Sequence, residues 1–423
     1  LKGNTEGIAT ETDCAYNIPL SHIGGRTPMQ PATQVICTIS ENVTPKKKIL
    51  GVYLGNKHCA QADSLRAKGL TVNCPNHEGK CTQNVEPEAV IGDESRNTEM
   101  AYRNMQRQSY TPIKRIVTDG DSLAGKAIEN VNKSMGFGAV ELSRCTRHIG
   151  ENQCKYLRNA NFSKGMFCVR LKKDQGKVQK RLAFNVKRRC HSEFNLAHKN
   201  HGHSANELVK CLENISKAVM SCYNGSCGEL CQQYSYVCKP ESDQPWEHDY
   251  IEAPSTLNMT SKDRAILKKA LDYRFSENAI MKTKRNTSTQ KSEACNRSFR
   301  RCLPKNVLRK RNAAGRLHGA VHRLNNGVAV STLKKMKAVG IRVCSDSKVV
   351  KELKFDQKRD EYYKQYQSKN TYKQRRRYHR IKRFSQYDSR SETTVKVTYA
   401  KGLMDTVEMK QVQNIIADEH SYN

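Results

Sequence analysis

Three acidic residues stand where chemistry is possible. Asp13 ends the run Gly7–Asp13, and Asp119 ends Ile113–Asp119 and opens Asp119-Gly120-Asp121-Ser122. Glu293 lies in Ser292-Glu293-Ala294-Cys295-Asn296-Arg297, a stretch of helical character. Two aspartates at strand ends and a glutamate on a later helix form the donor set of a two-metal phosphoryl-transfer site. Hard divalent cations take oxygen ligands, and a pair of them clamps the attacking and leaving oxygens of an in-line displacement. The plainer readings are that Asp119 is a turn residue or helix cap, a role Asp121 also fits, and that Glu293 and Arg297 form a surface pair worth a few tenths of a kcal/mol. On helical spacing, Asn296, Arg297 and Arg300 share the Glu293 face, and Cys295, Phe299 and Cys302 make the core-facing stripe.

The thiols form a second set. Cys59, Cys74, His77 and Cys81 have C-x14-C-x2-H-x3-C spacing, with Pro75 and Gly79 allowing a tight reversal. Soft thiolates with an imidazole suit tetrahedral Zn²⁺. His58 is an alternative ligand. A weaker candidate for zinc is Cys222, Cys227, Cys231 and Cys238, spaced C-x4-C-x3-C-x6-C. Cys145 and His148 (C-x2-H) are too few to make a metal site and read as structural or near-catalytic. Seventeen cysteines is an odd count, and a chain this large does not need disulfide staples. The expectation is reduced thiols in the nucleus or cytosol.

Charge selects the partner. The chain has 74 Lys+Arg against 41 Asp+Glu over 423 residues, a formal net charge of +33. Solubility requires far less, about 2–8 for a small domain. A polyanion is the natural companion, and each cation placed on a phosphate releases a counterion. No apolar run approaches the ~20 residues of a membrane span, and nothing reads as a signal peptide.

The elements that must position these groups follow from local pattern. Residues 7–13, 33–40 and 48–55 read as strands, then a Cys/Gly/Asn-rich loop (56–92) and a helix (94–108). A fourth strand ends at Asp119, Asp121 or Ser122 caps a helix running to about Met135, and a fifth strand spans 139–143. Three strands followed by alternating helix and strand give a mixed sheet flanked by helices. From about 160 to 285 the pattern is helical and basic, with a capping box at Thr260–Asp263. On its helices Lys180, Arg181, Lys187, Arg188, Arg189 and Lys210 read as the lining of a DNA channel. From Lys364 to Arg383 there are nine Lys/Arg and no acid, interleaved with Tyr366, Tyr372 and Tyr378. That stretch, with Arg375, Arg376 and Arg377, reads as a phosphate-backbone contact, a solvated helical face or a nuclear-import signal.

Several blocks resemble the Mutator-like transposases. Thr12-Asp13-Cys14-Ala15-Tyr16-Asn17 is similar to their first-aspartate motif, Asp-Gly-x-Tyr-Asn-Asn, with Cys14 in place of the glycine and Ile18 in place of the second asparagine. Asn56–Cys59, Cys74–Cys81 and Ile91–Glu94 resemble the next blocks, Thr118–Ser122 the second aspartate, and Cys145–His148 the family's Cys-x-x-His. Ser292–Asn296, Leu303–Lys305 and Gly315–His318 resemble the glutamate block, and Tyr399–Gly402 the C-terminal tail.

The resemblance implies an α/β fold, an RNase H-like mixed sheet flanked by helices. A mainly α-helical insertion precedes the catalytic glutamate, and a basic helical C-terminal region follows. The expected divisions are 1–160 (first part of the core), 161–285 (insertion), 286–344 (glutamate helix and end of core) and 345–423 (basic region). It implies Asp13, Asp119 and Glu293 as catalytic ligands of Mg²⁺ or Mn²⁺, and DNA, at transposon ends and target, as substrate. DNA contacts are expected from Arg188, Arg189, Arg297, Arg300 and Arg375–Arg377. A homo-oligomer in the nucleus is expected, without membrane attachment. The rival expectation is a domesticated or decayed relative that binds DNA without cutting it.

Overall fold

A computed structural model describes residues 7–17, 32–44, 46–74, 81–86, 88–120, 122–167, 172–242, 244–250, 257–304, 307–309 and 311–379. His77, Asp121 and the Tyr399–Gly402 block lie outside the described residues. Five strands, β1 (Ile8–Tyr16), β2 (Gln34–Glu41), β3 (Ile49–Asn56), β4 (Ile113–Thr118) and β5 (Glu141–Arg144), form one sheet in the order β3-β2-β1-β4-β5. The first three run antiparallel as a meander, and β4 and β5 join parallel to β1. This is the expected RNase H-like mixed sheet. β1 sits at its centre and is buried through Thr12.

Thirteen α-helices accompany the sheet among the described residues, besides the helical residues 370–379. They are α1 (Ala60–Arg66), α2 (Glu94–Ser109), α3 (Ser122–Ser134), α4 (Thr146–Asn159), α5 (Lys172–His201), α6 (Ala205–Tyr223) and α7 (Glu229–Tyr234). After these come α8 (Ser261–Phe275), α9 (Glu277–Thr283), α10 (Gln290–Cys302), α11 (Ala313–Asn326), α12 (Val328–Ala338) and α13 (Lys348–Ser368). α2 and α3 cover one face of the sheet. Ala101, Tyr102 and Met105 of α2 and Ile128 and Val131 of α3 meet Cys37, Ile39, Ile113 and Ile116 in one core. The approach is close because Gly51 of β3 has no Cβ. One placed there would fall 2.6 Å from the Ala101 carbonyl oxygen.

Between α4 and α10 the chain is helical, with no named strand among the described residues. α5 carries Leu182, Val186, Cys190 and Phe194 at four-residue steps, and α6 carries Leu208, Leu212, Ile215 and Val219. These stripes close, with Leu267, Leu271 and Phe275, into a core of their own. α8 starts with the capping box expected at Thr260 and Asp263. It lies against α4, where Gln153 donates to the Ala270 carbonyl (3.0 Å) and the Arg274 guanidinium to the Thr146 carbonyl (3.0 Å).

One expectation is corrected here. Arg189 does not line a DNA channel: its side chain is 0 % exposed. It donates to Glu193 Oε1 one turn on (2.9 Å) and to Ser235 Oγ (3.0 Å), and it lies over the Trp246 ring. A buried guanidinium persists only if paired and hydrogen-bonded, and this one is. Its neighbour Arg188 is half-exposed and pairs with Asp249 at 3.2 Å.

The chain divides into two compact units. Within the described residues one comprises 7–17, 33–304 and 309–317, and the other takes in 318–379. In the second unit α12 packs on α13. Residues 370–379 are helical, and Arg375, Arg376 and Arg377 stand exposed.

Removing one partner of a buried ion pair strands the other charge. Arg189→Met is therefore expected to destabilise the protein by about 3–5 kcal/mol, and the double variant R189M/E193L to lie nearer wild type. Chemical denaturation of the two proteins checks this.

Candidate functional site

The site is built on the end of β1. Side chains alternate along a strand, so Glu11 and Asp13 share one face while Thr12 and Cys14 face the other. Thr12 meets Cys37 across the sheet, and Cys14 packs against the α2 side. Glu11 is fully buried, and its Oε1 accepts the Ser292 backbone N–H at 2.6 Å. Ser292 is the third residue of α10, so its N–H is one of the orphan donors at a helix start. Lys47 approaches the other Glu11 oxygen at 3.5 Å. Burial raises the proton affinity of Glu11, while Ser292 and Lys47 pull it down. The result is that a strand carboxylate pins the start of the helix that carries Glu293.

Parallel pairing sets Glu11 beside Val117. Two residues on in each strand bring Asp13 and Asp119 level at the same end of the sheet. Gly120, at φ +128°, lets the chain turn away immediately after Asp119. Asp13 Oδ2 accepts from Asn296 Nδ2 at 2.8 Å. Burial, together with the negative fields of Asp119 and Glu293, pushes Asp13 up to about 6. The Asn296 hydrogen bond and nearby His148 act in the opposite direction. The chain thus brings the three carboxylates singled out in the sequence into electrostatic reach of one another.

Glu293 has charged partners other than the expected Arg297. Arg147 of α4 donates to Oε2 at 3.2 Å, and His148 Nε2 lies 3.6 Å from Oε1. Glu293 Oε1 is buried without a hydrogen-bond partner, as is Asn296 Oδ1. Arg297 and Arg300 are exposed on the outer side of α10. Asn296 does not join them as expected. It is 3 % exposed and shares the buried arc with Ser292, Cys295 and Phe299, because α10 lies flat on the sheet. Cys302 is only half-buried.

Cys145 and His148 stand at the β5–α4 junction. The Thr289 N–H donates to Cys145 Sγ (3.4 Å), His148 Nδ1 meets Thr289 Oγ1 (3.4 Å), and the Thr146 N–H donates to the Thr287 carbonyl (3.1 Å). Burial opposes ionisation of the Cys145 thiol, but hydrogen bonds from His148 and Thr289 outweigh it and bring the thiol down to about 7. His148 is raised, chiefly by its bond to Cys145. This pair holds the segment leading into α10.

Sequence reasoning missed Glu11, Arg147, Thr289 and Ser292. The one available signal was Glu11 itself, a carboxylate two residues before Asp13 in an otherwise uncharged strand.

The thiol sets also come together. The sulfurs of Cys59, Cys74 and Cys81 lie within 4.8 Å of one another, as do those of Cys222, Cys227, Cys231 and Cys238. Either set could hold a soft metal ion. Among the described residues no helix is long and apolar enough to cross a membrane.

Glu11→Ala removes both the acceptor and the volume beneath the start of α10. The expected loss is about 1–3 kcal/mol, that of a helix cap plus an unsatisfied buried N–H. Glu11→Gln, which keeps an acceptor oxygen, should lose less. Thermal melting orders the three proteins, and hydrogen exchange at Ser292 shows whether the cap is the cause.

The family model of the Mutator-like transposases matches residues 1–238. No match was found among curated proteins or among solved structures. The matched segment carries Asp13, Asp119 and the Cys145–His148 pair, and it covers more than half of the 423 residues. With the five-stranded sheet, this match establishes that the chain belongs to the Mutator-like transposase family.

Proposed function

We propose that the chain is the catalytic region of a DDE-type transposase that hydrolyses phosphodiesters at transposon ends and joins the released ends to target DNA. One observation carries this reading: Asp13, Asp119 and Glu293 converge from β1, the end of β4 and α10. The donor set fits Mg²⁺ or Mn²⁺. Asp13 is raised by burial first and by the fields of Asp119 and Glu293 after it, and Glu293 Oε1 is buried with no hydrogen bond. Divalent cations held by these oxygens would activate a water and neutralise charge on the phosphodiester.

The chain's own residues do the rest. Asn296 orients Asp13 by donating to Oδ2. Arg147 holds Glu293 through Oε2. Arg297 and Arg300, exposed beside Glu293, are placed to bind flanking phosphates, which position the strand but carry no sequence information. In the first step water attacks phosphorus at the element's end and the bond to the 3′-oxygen breaks. In the second, the freed 3′-hydroxyl attacks a target phosphodiester and displaces a target 3′-oxygen, so no covalent protein–DNA link forms. Cys59, Cys74 and Cys81, with His77 as fourth ligand, are proposed to hold zinc beside the core. The basic balance supports DNA as the partner, and a homo-oligomer working in the nucleus is part of the same proposal.

The test is a Mg²⁺-dependent nicking and joining assay on oligonucleotides. Asp13→Ala, Asp119→Ala and Glu293→Ala are each expected to lower cleavage by on the order of 10³-fold, the scale of losing a principal electrostatic stabiliser. DNA affinity should be little changed, because the phosphate contacts come from Lys and Arg. Asn296→Ala should lower activity by about 10–100-fold, as loss of a ligand's outer partner does. Binding without Mg²⁺-dependent cleavage by the wild-type protein would point to a DNA-binding relative that no longer cuts.

A further inference from the structure

The four cysteines of the helical region are arranged more closely than core thiols require. Cys222 lies in the last turn of α6, Cys227 in the following turn, Cys231 in α7 and Cys238 in the loop beyond it. Gly225, at φ +86°, reverses the chain after α6, and the Ser226 N–H returns to the Ser221 carbonyl (3.0 Å). This carries Cys227 back over the helix end. All four sulfurs lie within 4.8 Å of one another, and Cys227 and Cys238 are 3.4 Å apart. A tetrahedron with ~2.3 Å metal–sulfur bonds has sulfur–sulfur edges of about 3.8 Å, so this spacing matches it.

The surroundings separate thiolates from thiols. A neutral thiol is a weak acceptor. Here the Trp246 backbone N–H donates to Cys238 Sγ (3.3 Å), an Arg189 N–H points at Cys222 Sγ (3.9 Å), and His248 Nε2 lies 3.5 Å from the same sulfur. Tyr250 Oη stands 2.9 Å from His248 Nδ1, and a hydroxyl donating there leaves Nε2 protonated towards the sulfur. The loop that delivers Cys238 is itself fixed. Ser235 Oγ accepts the Cys238 N–H (2.9 Å) and an Arg189 N–H (3.0 Å), and Glu193 accepts the Tyr236 N–H (2.8 Å). Three N–H groups aimed at buried sulfurs would be poorly used against neutral thiols. They match the outer hydrogen bonds that an anionic metal–thiolate centre needs. Two disulfides would bring the sulfurs together only in pairs.

We propose that Cys222, Cys227, Cys231 and Cys238 bind one structural zinc ion as four thiolates, and that Arg189, Trp246 and His248 donate to those sulfurs. Zinc is the metal of choice for a closed tetrahedral all-thiolate set. The ion ties the end of α6 and the 235–250 segment to α5, and its role is to hold this helical region together. The proposal does not depend on DNA cleavage.

The test uses the full chain purified under reducing conditions. Zinc content is measured by mass spectrometry of the metal for the wild type, Cys227→Ser and Cys231→Ser, with Cys59→Ser as a control for the other thiol set. Cys227 is exposed, so its variant keeps the measurement possible if Cys231→Ser fails to fold. Each of the two variants is expected to contain one zinc equivalent less per chain than the wild type. The double variant with Cys59→Ser should lose more than either alone if both sets bind metal. Cobalt-loaded wild type should show the sulfur-to-cobalt charge-transfer band of a tetrahedral thiolate site, weakened in Cys227→Ser. Zinc content unchanged in folded Cys227→Ser overturns the proposal, and so does finding the four thiols paired as disulfides.

Discussion

The Glu11–Ser292 hydrogen bond is the constraint on which the site depends. Its partners are 281 positions apart, yet they fix where a helix sits on a sheet. Without a carboxylate at that point of β1, the first turn of α10 would have an orphan donor inside the protein. With it, α10 has one favoured position along the strand, and Glu293, one residue on, is delivered to the end where Asp13 and Asp119 already lie. The negative charge also sits at the positive end of the helix dipole, where it is stabilising. Burying that carboxylate is costly in itself, which is why Lys47 approaches its second oxygen.

The same logic of obligatory pairing governs the basic excess. A chain with net charge +33 must either spread its cations over solvent or bind a polyanion. Both solutions to burial occur side by side on α5. Arg189 turns inward and is consumed by Glu193, Ser235 and the Cys222 sulfur, whereas Arg188 stays at the surface. Arg297 and Arg300 on α10, and Arg375–Arg377 in the second unit, remain exposed. The field available to a nucleic acid is therefore set by fewer cations than the sequence total suggests.

Local order was legible and long-range partners were not. The strands and most helices showed in the sequence because β-branched alternation, helix stripes and the Thr260–Asp263 cap are written over a few residues. Asp13 and Asp119 stood out by strand ends and turn chemistry, whereas Glu293 was singled out by its resemblance to the family's glutamate block. Arg189 was misread because a basic run on a long helix looks the same whether a residue faces water or a buried acid. Glu193, one turn on, was the overlooked clue. Asn296 was grouped with the exposed Arg297 and Arg300 because helix arithmetic gives angles but not the width of the buried arc; it is buried and reaches Asp13. Ser292, Cys295, Asn296 and Phe299 form an i, i+3, i+4, i+7 set in which two members are polar, and those two are the ones that bind Glu11 and Asp13. The Arg147–Glu293 pair had no local signature, since its residues are 146 positions apart.

The hydrogen bond from the Thr146 N–H to the Thr287 carbonyl means that the helical region leaves and rejoins the core at one point. Everything between is, topologically, a closed excursion with a clamped neck. The entropic cost of such a closure rises only by about 0.6 kcal/mol for each doubling of its length. The part of it beyond α4 can therefore grow or shrink, while Arg147 and His148 at its start keep their hold on Glu293 and Thr289. A lineage built this way can vary the bulk of its helical region while keeping unaltered the seating of α10 on the sheet.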